Sequence, residues 1–283
     1  MAVLLGLAVA MAYGAADFLG GLGTKRSPLT SVLLGAQVVG LPVLLVLVPV
    51  AGGEPTGRAV LFGGLAGLGA AVGVACLYRG LAIGRMTVVA PVTAVGAAVL
   101  PVAWGLARGE RPSDVALAGV FVALVAVVLV SKPPTPEAEA EATHTATGRA
   151  ALALAVVSGI GFGFVFILLA ESGEGTGLWP LVSTRVVSLS SLAVFTLVTR
   201  QAFRPAAGVF PTIVGAGVLD MTANVLYLLA SRRGLLTLVA VLSALYPAVT
   251  VLLARVVLGE RVGRLQLGGI VLTGAGVVMI AAG

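Results

Sequence analysis

Apolar runs of about twenty residues follow one another along nearly the whole chain, and the charges sit in the short breaks between them. A run of about 20 apolar residues matches the thickness of a bilayer's hydrocarbon core. In hydrocarbon each backbone N–H and C=O needs a partner within the protein, so such runs fold as helices. Ten candidate spans follow: 2–22, 29–49, 59–81, 87–107, 113–131, 150–170, 178–199, 209–230, 235–257 and 263–282. Between them stand turn and charge signals such as Lys25-Arg26-Ser27-Pro28, Gly52-Gly53-Glu54-Pro55, Gly173-Glu174-Gly175 and Arg232-Arg233-Gly234. Composition excludes a soluble domain: 59% of residues are hydrophobic and 10% charged, where a soluble domain carries roughly 25% charge. The expected fold is an all-α integral membrane protein whose main partner is the lipid bilayer. Met1 leads straight into an apolar run with no basic segment before it, so that run reads as a spanning helix and not as a signal peptide.

The runs are not independent. Gly109-Glu110-Arg111 and Gly259-Glu260-Arg261 lie 150 residues apart, each after a span and before another. Sliding 78–131 onto 228–281 without gaps gives 14 identities in 54 positions, including Gly84/Gly234, Thr87/Thr237, Ala90/Ala240 and Gly119/Gly269. A composition this rich in small apolar residues gives about half as many by chance, so this is an internal repeat. The longest break, Lys132 to Arg149, holds Pro133, Pro134, Pro136, three glutamates and His144. It reads as an extended polar tether, with the lone histidine solvated. The expected division is a first repeat over 1–131, a tether over 132–148 and a second repeat over 149–283. Five spans per half is an odd number, so the second half enters the membrane upside down relative to the first. That gives ten transmembrane helices in two inverted five-helix repeats, an architecture common among secondary transporters.

With its ten spans, two halves and a Gly-Glu-Arg turn after the fourth span of each, the chain resembles the EamA family of the drug/metabolite transporter superfamily. The resemblance implies a helical basket around a central cavity and export of a small metabolite, such as an amino acid, across the bacterial inner membrane. It implies no cofactor and fixes no substrate.

Lys and Arg are biased toward one face. Breaks after odd-numbered spans, with the span ends beside them, hold 11 of them and breaks after even-numbered spans hold 5, which favours cytoplasmic odd loops and outward termini. Trp104 and Trp179 fall at the even-loop face, where an aromatic belt is expected. The net charge of +6 is scattered over short loops, which points to no nucleic-acid partner. Cys76 is the single cysteine, so neither a disulfide framework nor a cysteine metal site is expected.

Polar side chains inside spans carry the functional information, because a charge there is costly and faces the interior or a cavity. Asp17, Arg185, Asp220 and Asn224 stand out. Tyr13 and Asp17 share a face of the first span, and Asp220, Asn224 and Tyr227 form one stripe on the eighth. Gln37 and Arg185 occupy matching places in the second spans of the two halves. The candidate substrate pathway is therefore Tyr13, Asp17, Gln37, Arg185, Asp220, Asn224 and Tyr227. At 1.5 Å per residue, Arg185 lies roughly 10–12 Å in from the even-loop face and Asp220 near the midplane, an expected ion pair. Asp17, closer to the odd-loop face, is expected to form a separate site. The alternative readings are a purely structural Arg185–Asp220 pair, an Asp17 that reaches interfacial water, and an Asn224 that bridges two helices. Tyr78 and Tyr246 fit packing roles better than lining ones. Pro91, Pro101 and Pro247 are expected to kink their spans. Glu171 is expected to be solvated, and Glu110 and Glu260 to sit at helix starts or interfaces.

No HExxH, GxSxG, P-loop or paired Asp-rich motif occurs, so neither a metal site nor an enzyme is expected. Proton coupling, where present, has only Asp17 or Asp220 to run through. The expected function is a secondary transporter of a small-molecule substrate; the sequence leaves its oligomeric state open, and a monomer is compatible with it. The alternatives are a membrane-embedded lipid-modifying enzyme and a non-transporting sensor or assembly protein.

Overall fold

A computed structural model describes residues 1–130, 145–200, 204–259 and 263–283, the Thr87 side chain excepted. Among these residues the chain forms α1 (Ala2–Arg26), α2 (Leu29–Ala51), α3 (Gly57–Ile83), α4 (Met86–Ala107), α5 (Asp114–Val130), α6 (Ala146–Ala170), α7 (Trp179–Val198), α8 (Phe210–Ser231), α9 (Leu236–Ser243), α10 (Tyr246–Leu258) and α11 (Arg264–Ala282). Nine described segments are long and apolar enough to cross a membrane, counting Leu236–Leu258 as one broken span, and α5 is a shorter apolar helix. The protein is a multi-pass, all-helical membrane protein. Phe121, Leu197 and Val271 are 72%, 76% and 69% exposed. On a soluble surface such side chains would drive association; here they face lipid.

Local chemistry sets several helix ends. The Thr56 and Thr145 hydroxyls accept from the N–H groups of Ala59 and Gly148, at 3.1 and 3.0 Å, as N-caps of α3 and α6. Gly109 and Gly259 take φ of +89° and +67°. These left-handed turns explain why glycine opens the charged triplet in both halves. Glu260 and Arg261, the rest of the second triplet, lie outside the described residues.

Helix pairing has a consistent pattern. The fifth span, α5, packs along the tenth, α11. α3 packs on α6 as α8 does on α1, α4 on α6 as α9 and α10 do on α1, and α3 on α7 as α8 does on α2. Each relation turns into another when every span is shifted by five. The heaviest packing runs between the halves, so they interleave instead of standing side by side. Small residues allow the close approach: a methyl added at Gly159 would lie 3.1 Å from the Gly96 Cα. Hydroxyls then bond across the contacts: Thr93 to the Ala155 carbonyl at 3.2 Å, and Thr250 to that of Gly14 at 3.0 Å.

Two expectations need correction. α1 continues through Gly20, Gly21, Gly23 and Thr24 to Arg26, beyond the expected end at 22. α6 begins at Ala146, so the last residues of the expected 132–148 tether are helical; residues 131–144, His144 among them, lie outside the described set. Pro91 and Pro101 lie inside α4, which runs from Met86 to Ala107, and each removes one hydrogen bond to the preceding turn. Pro247 behaves otherwise. The ninth span breaks at Ala244-Leu245, and the proline opens α10 in the first turn, where its missing N–H is not needed.

Candidate functional site

A cavity of about 60 Å³ lies between spans of both halves. At roughly 10–15 Å³ per water it holds a handful of solvent molecules. Tyr13 and Asp17 from α1, Gln37 from α2, Arg185 from α7, and Asp220 and Asn224 from α8 line it. Tyr78, Phe162, Phe166 and Tyr246 contribute aromatic walls.

Arg185 organises one side. It is 5% exposed, and a guanidinium cannot shed its charge, so burial demands an anion and further acceptors around it. One terminal nitrogen donates to the Asp220 carboxylate at 2.9 Å, and the other donates to the Gln37 side-chain oxygen. Gln37 passes its amide N–H on to the Ser188 hydroxyl at 2.9 Å. Asn224 donates to the Asp220 carbonyl at 2.8 Å and to its carboxylate at 3.3 Å. This polar chain joins α2, α7 and α8 at the depth where hydrocarbon surrounds the bundle.

Asp17 belongs to the same cavity, which corrects the expectation of a separate, shallower site. The cause is the longer α1. Asp17 stands nine residues short of the Arg26 end, and Asp220 stands ten residues past the Phe210 start of α8. α1 packs along α8, and the two depths, about 13 and 15 Å, match. Asp17 is 8% exposed. No hydrogen bond or ion pair joins its carboxylate to another described residue. Its electrostatic neighbours are Asp220, Tyr13, Tyr78 and Tyr246.

Tyr227 does not line the cavity. It is fully buried, donates to the Phe166 carbonyl at 3.0 Å and stacks on the Phe166 ring at 4.3 Å. It continues the stripe of Asp220 and Asn224 by spacing, yet the α6 backbone covers that end of the stripe. Tyr78 and Tyr246, read from sequence as packing residues, line the cavity instead. Their only sequence signal was an aromatic ring in an apolar run, which does not separate the two roles.

The even-loop face is tied across its loops. Glu171, expected to be solvated, accepts from Arg58 at 3.1 Å and from the Trp104 indole at 3.0 Å, and faces Arg108 at 3.5 Å. Trp179 donates to the Gly53 carbonyl at 3.2 Å. Arg232 bonds the Gly177 carbonyl and the Thr176 hydroxyl at 2.7 and 2.6 Å; partial burial draws its guanidinium below the ordinary range, opposed by Glu174. The Glu110 carboxylate accepts from the backbone N–H groups of Leu236 and Thr237 at 2.7 and 2.8 Å. It therefore serves a helix start as expected, but the start of the ninth span and not of its neighbour in sequence.

Residues 149–282 match the sequence model of the EamA-like transporter family. The second half of the chain is similar to EamA-like transporters. A solved crystal structure of a protein superposes on the whole chain with a TM-score of 0.70, covering 99% of this chain and 98% of the other at 14% identity. At that identity the likeness is one of fold alone. No curated protein matches the chain in sequence. Among the described residues no cluster of three or more His, Cys, Asp or Glu is placed to hold a metal ion.

Proposed function

We propose that the chain is a secondary transporter of the drug/metabolite type that exports a small metabolite across the bacterial inner membrane. The observation that carries this reading is a cavity deep in a bundle of spans, lined by a buried Arg185–Asp220 ion pair and by Asp17. Charges at that depth are expensive and mark solute and ion pathways. The residues that line the cavity come from both halves, 1–131 and 149–283, which act as the two repeats. Rocking of one repeat against the other exposes such a site to each side in turn. Proton coupling runs through Asp17 or Asp220, the acids that face the cavity.

Purified protein in proteoliposomes tests this. Uptake of a labelled solute driven by an imposed pH gradient, absent from protein-free vesicles, is the expected result. Asp17→Asn is expected to abolish the dependence on the gradient if that acid carries the proton, and unchanged dependence moves the role to Asp220. Failure of every solute in a broad panel of amino acids, nucleosides, sugars and amines to move faster than in protein-free vesicles overturns the transporter reading.

A further inference from the structure

The cavity holds a carboxylate that its own cation does not serve. Arg185 is committed: one side of its guanidinium is on Asp220 and the other on Gln37. Asp17 stands at the same depth, is 8% exposed and has no bonded partner among the described residues. A buried carboxylate without company is costly, and what relieves it is a proton or a cation. A second unmet group belongs to another residue of the same cavity. Tyr246 lines the cavity and is 3% exposed, and its buried hydroxyl has no hydrogen-bond partner. Asp17 and Tyr246 line this one cavity.

Aromatic rings complete this corner. The Tyr13 ring stands edge-on to Tyr246 at 6.4 Å and tilted toward Phe166 at 6.1 Å. An anionic acceptor, a free hydroxyl and π faces are what an ammonium group needs for its charge, its N–H donors and its apolar stem. A free carboxylate on the ligand would meet the opposite environment, with Asp17 repelling it and Arg185 already neutralised.

We propose that Asp17 and Tyr246 form the seat of a protonated amine, and that the solute is a small monocationic amine with an apolar body and no free carboxylate. Calling this ligand a transported solute rests on the transporter reading; the seat itself does not. The amine replaces the missing partner of Asp17, its apolar body lies against Tyr13 and Phe166, and the Arg185–Asp220 pair stays intact as the wall opposite.

The test uses the full chain in lipid nanodiscs and four probes with one aromatic body: phenethylamine, phenylalaninamide, phenylalanine and 3-phenylpropionate. Calorimetric titration is expected to show binding of the first two, at least tenfold weaker binding of phenylalanine, and none of phenylpropionate. Asp17→Asn is expected to weaken phenethylamine binding tenfold or more. Tyr246→Phe, which keeps the ring, is expected to weaken it about threefold. Gel filtration confirms that each variant is folded, and the tyrosine variant decides the matter alone if the aspartate variant is not. Phenylalanine binding as tightly as its amide overturns the proposal, as does amine affinity unchanged in the folded variants or no binding of any probe. Vesicle flux separates the two readings: amine binding without flux leaves the seat and sinks the transporter, whereas flux of other solutes without amine binding does the reverse.

Discussion

The Arg185 guanidinium lies 2.9 Å from the Asp220 carboxylate, on a neighbouring helix and 5% exposed. The pair is not sealed, because the Asp220 side chain keeps 31% of its surface toward the cavity. Removing Asp220 alone strands a buried cation. Asp220→Leu is expected to destabilise the protein by about 3 kcal/mol, the low end for a broken buried pair because cavity water still reaches the site. Arg185→Leu with Asp220→Leu is expected to recover most of that stability, read as the thermal midpoint in detergent. A recovered fold without flux marks the pair as functional, and wild-type flux marks it as structural.

Glu110 caps a helix that begins 126 residues later, through two backbone N–H groups. Helix starts attract anions through unpaired N–H groups and the helix dipole. Glu110→Ala is expected to lower stability by about 1–2 kcal/mol. Glu110→Gln retains one acceptor oxygen and is expected to lose less. Equal stability of wild type and the alanine variant would remove the cap from the account.

Gly159 lies where the fourth and sixth spans touch backbone to backbone. A Cβ there would meet the Thr93 carbonyl oxygen at 2.5 Å. Gly159→Val is expected to force the helices apart and destabilise the fold by about 1–3 kcal/mol. Gly268, whose Cβ would meet nothing within 4 Å, is the control: Gly268→Val is expected to leave the thermal midpoint within a degree or two of wild type.

The inverted arrangement makes a sidedness prediction. Reporter fusions ending at Gly109 and at Gly259 are expected to report opposite faces of the membrane, although both glycines open the same triplet. Both reporters on one face would contradict the five-plus-five division.

The sequence displayed most of the helix plan, because a span's length and apolarity are written in consecutive residues. The spans expected at 29–49 and 263–282 needed little adjustment. Lateral relations were less visible. Asp17 was assigned too shallow a depth because Gly20 to Thr24 resembles a loop in composition, while in the fold glycines there let α1 pass Tyr78 and Leu81 closely. Tyr227 was placed on the pathway by spacing, which gives the face of its own helix but not the α6 backbone that covers it. Glu171 gave no sign of its role, since Arg58, Trp104 and Arg108 come from helices more than sixty residues earlier. Tyr246 drew its meaning from the break in the ninth span, which Pro247 announced.

The three donors gathered on Glu171 bear on how the even-loop face can part. Arg58 begins α3, Trp104 and Arg108 end α4, and all meet one carboxylate at the end of α6. Exposed contacts of this kind are individually weak, each worth roughly 0–1 kcal/mol. They share a single acceptor, so a displacement of α6 that frees one frees all. On the transporter reading, an α6 that moves away gives up all three together, a release at a threshold and not by degrees.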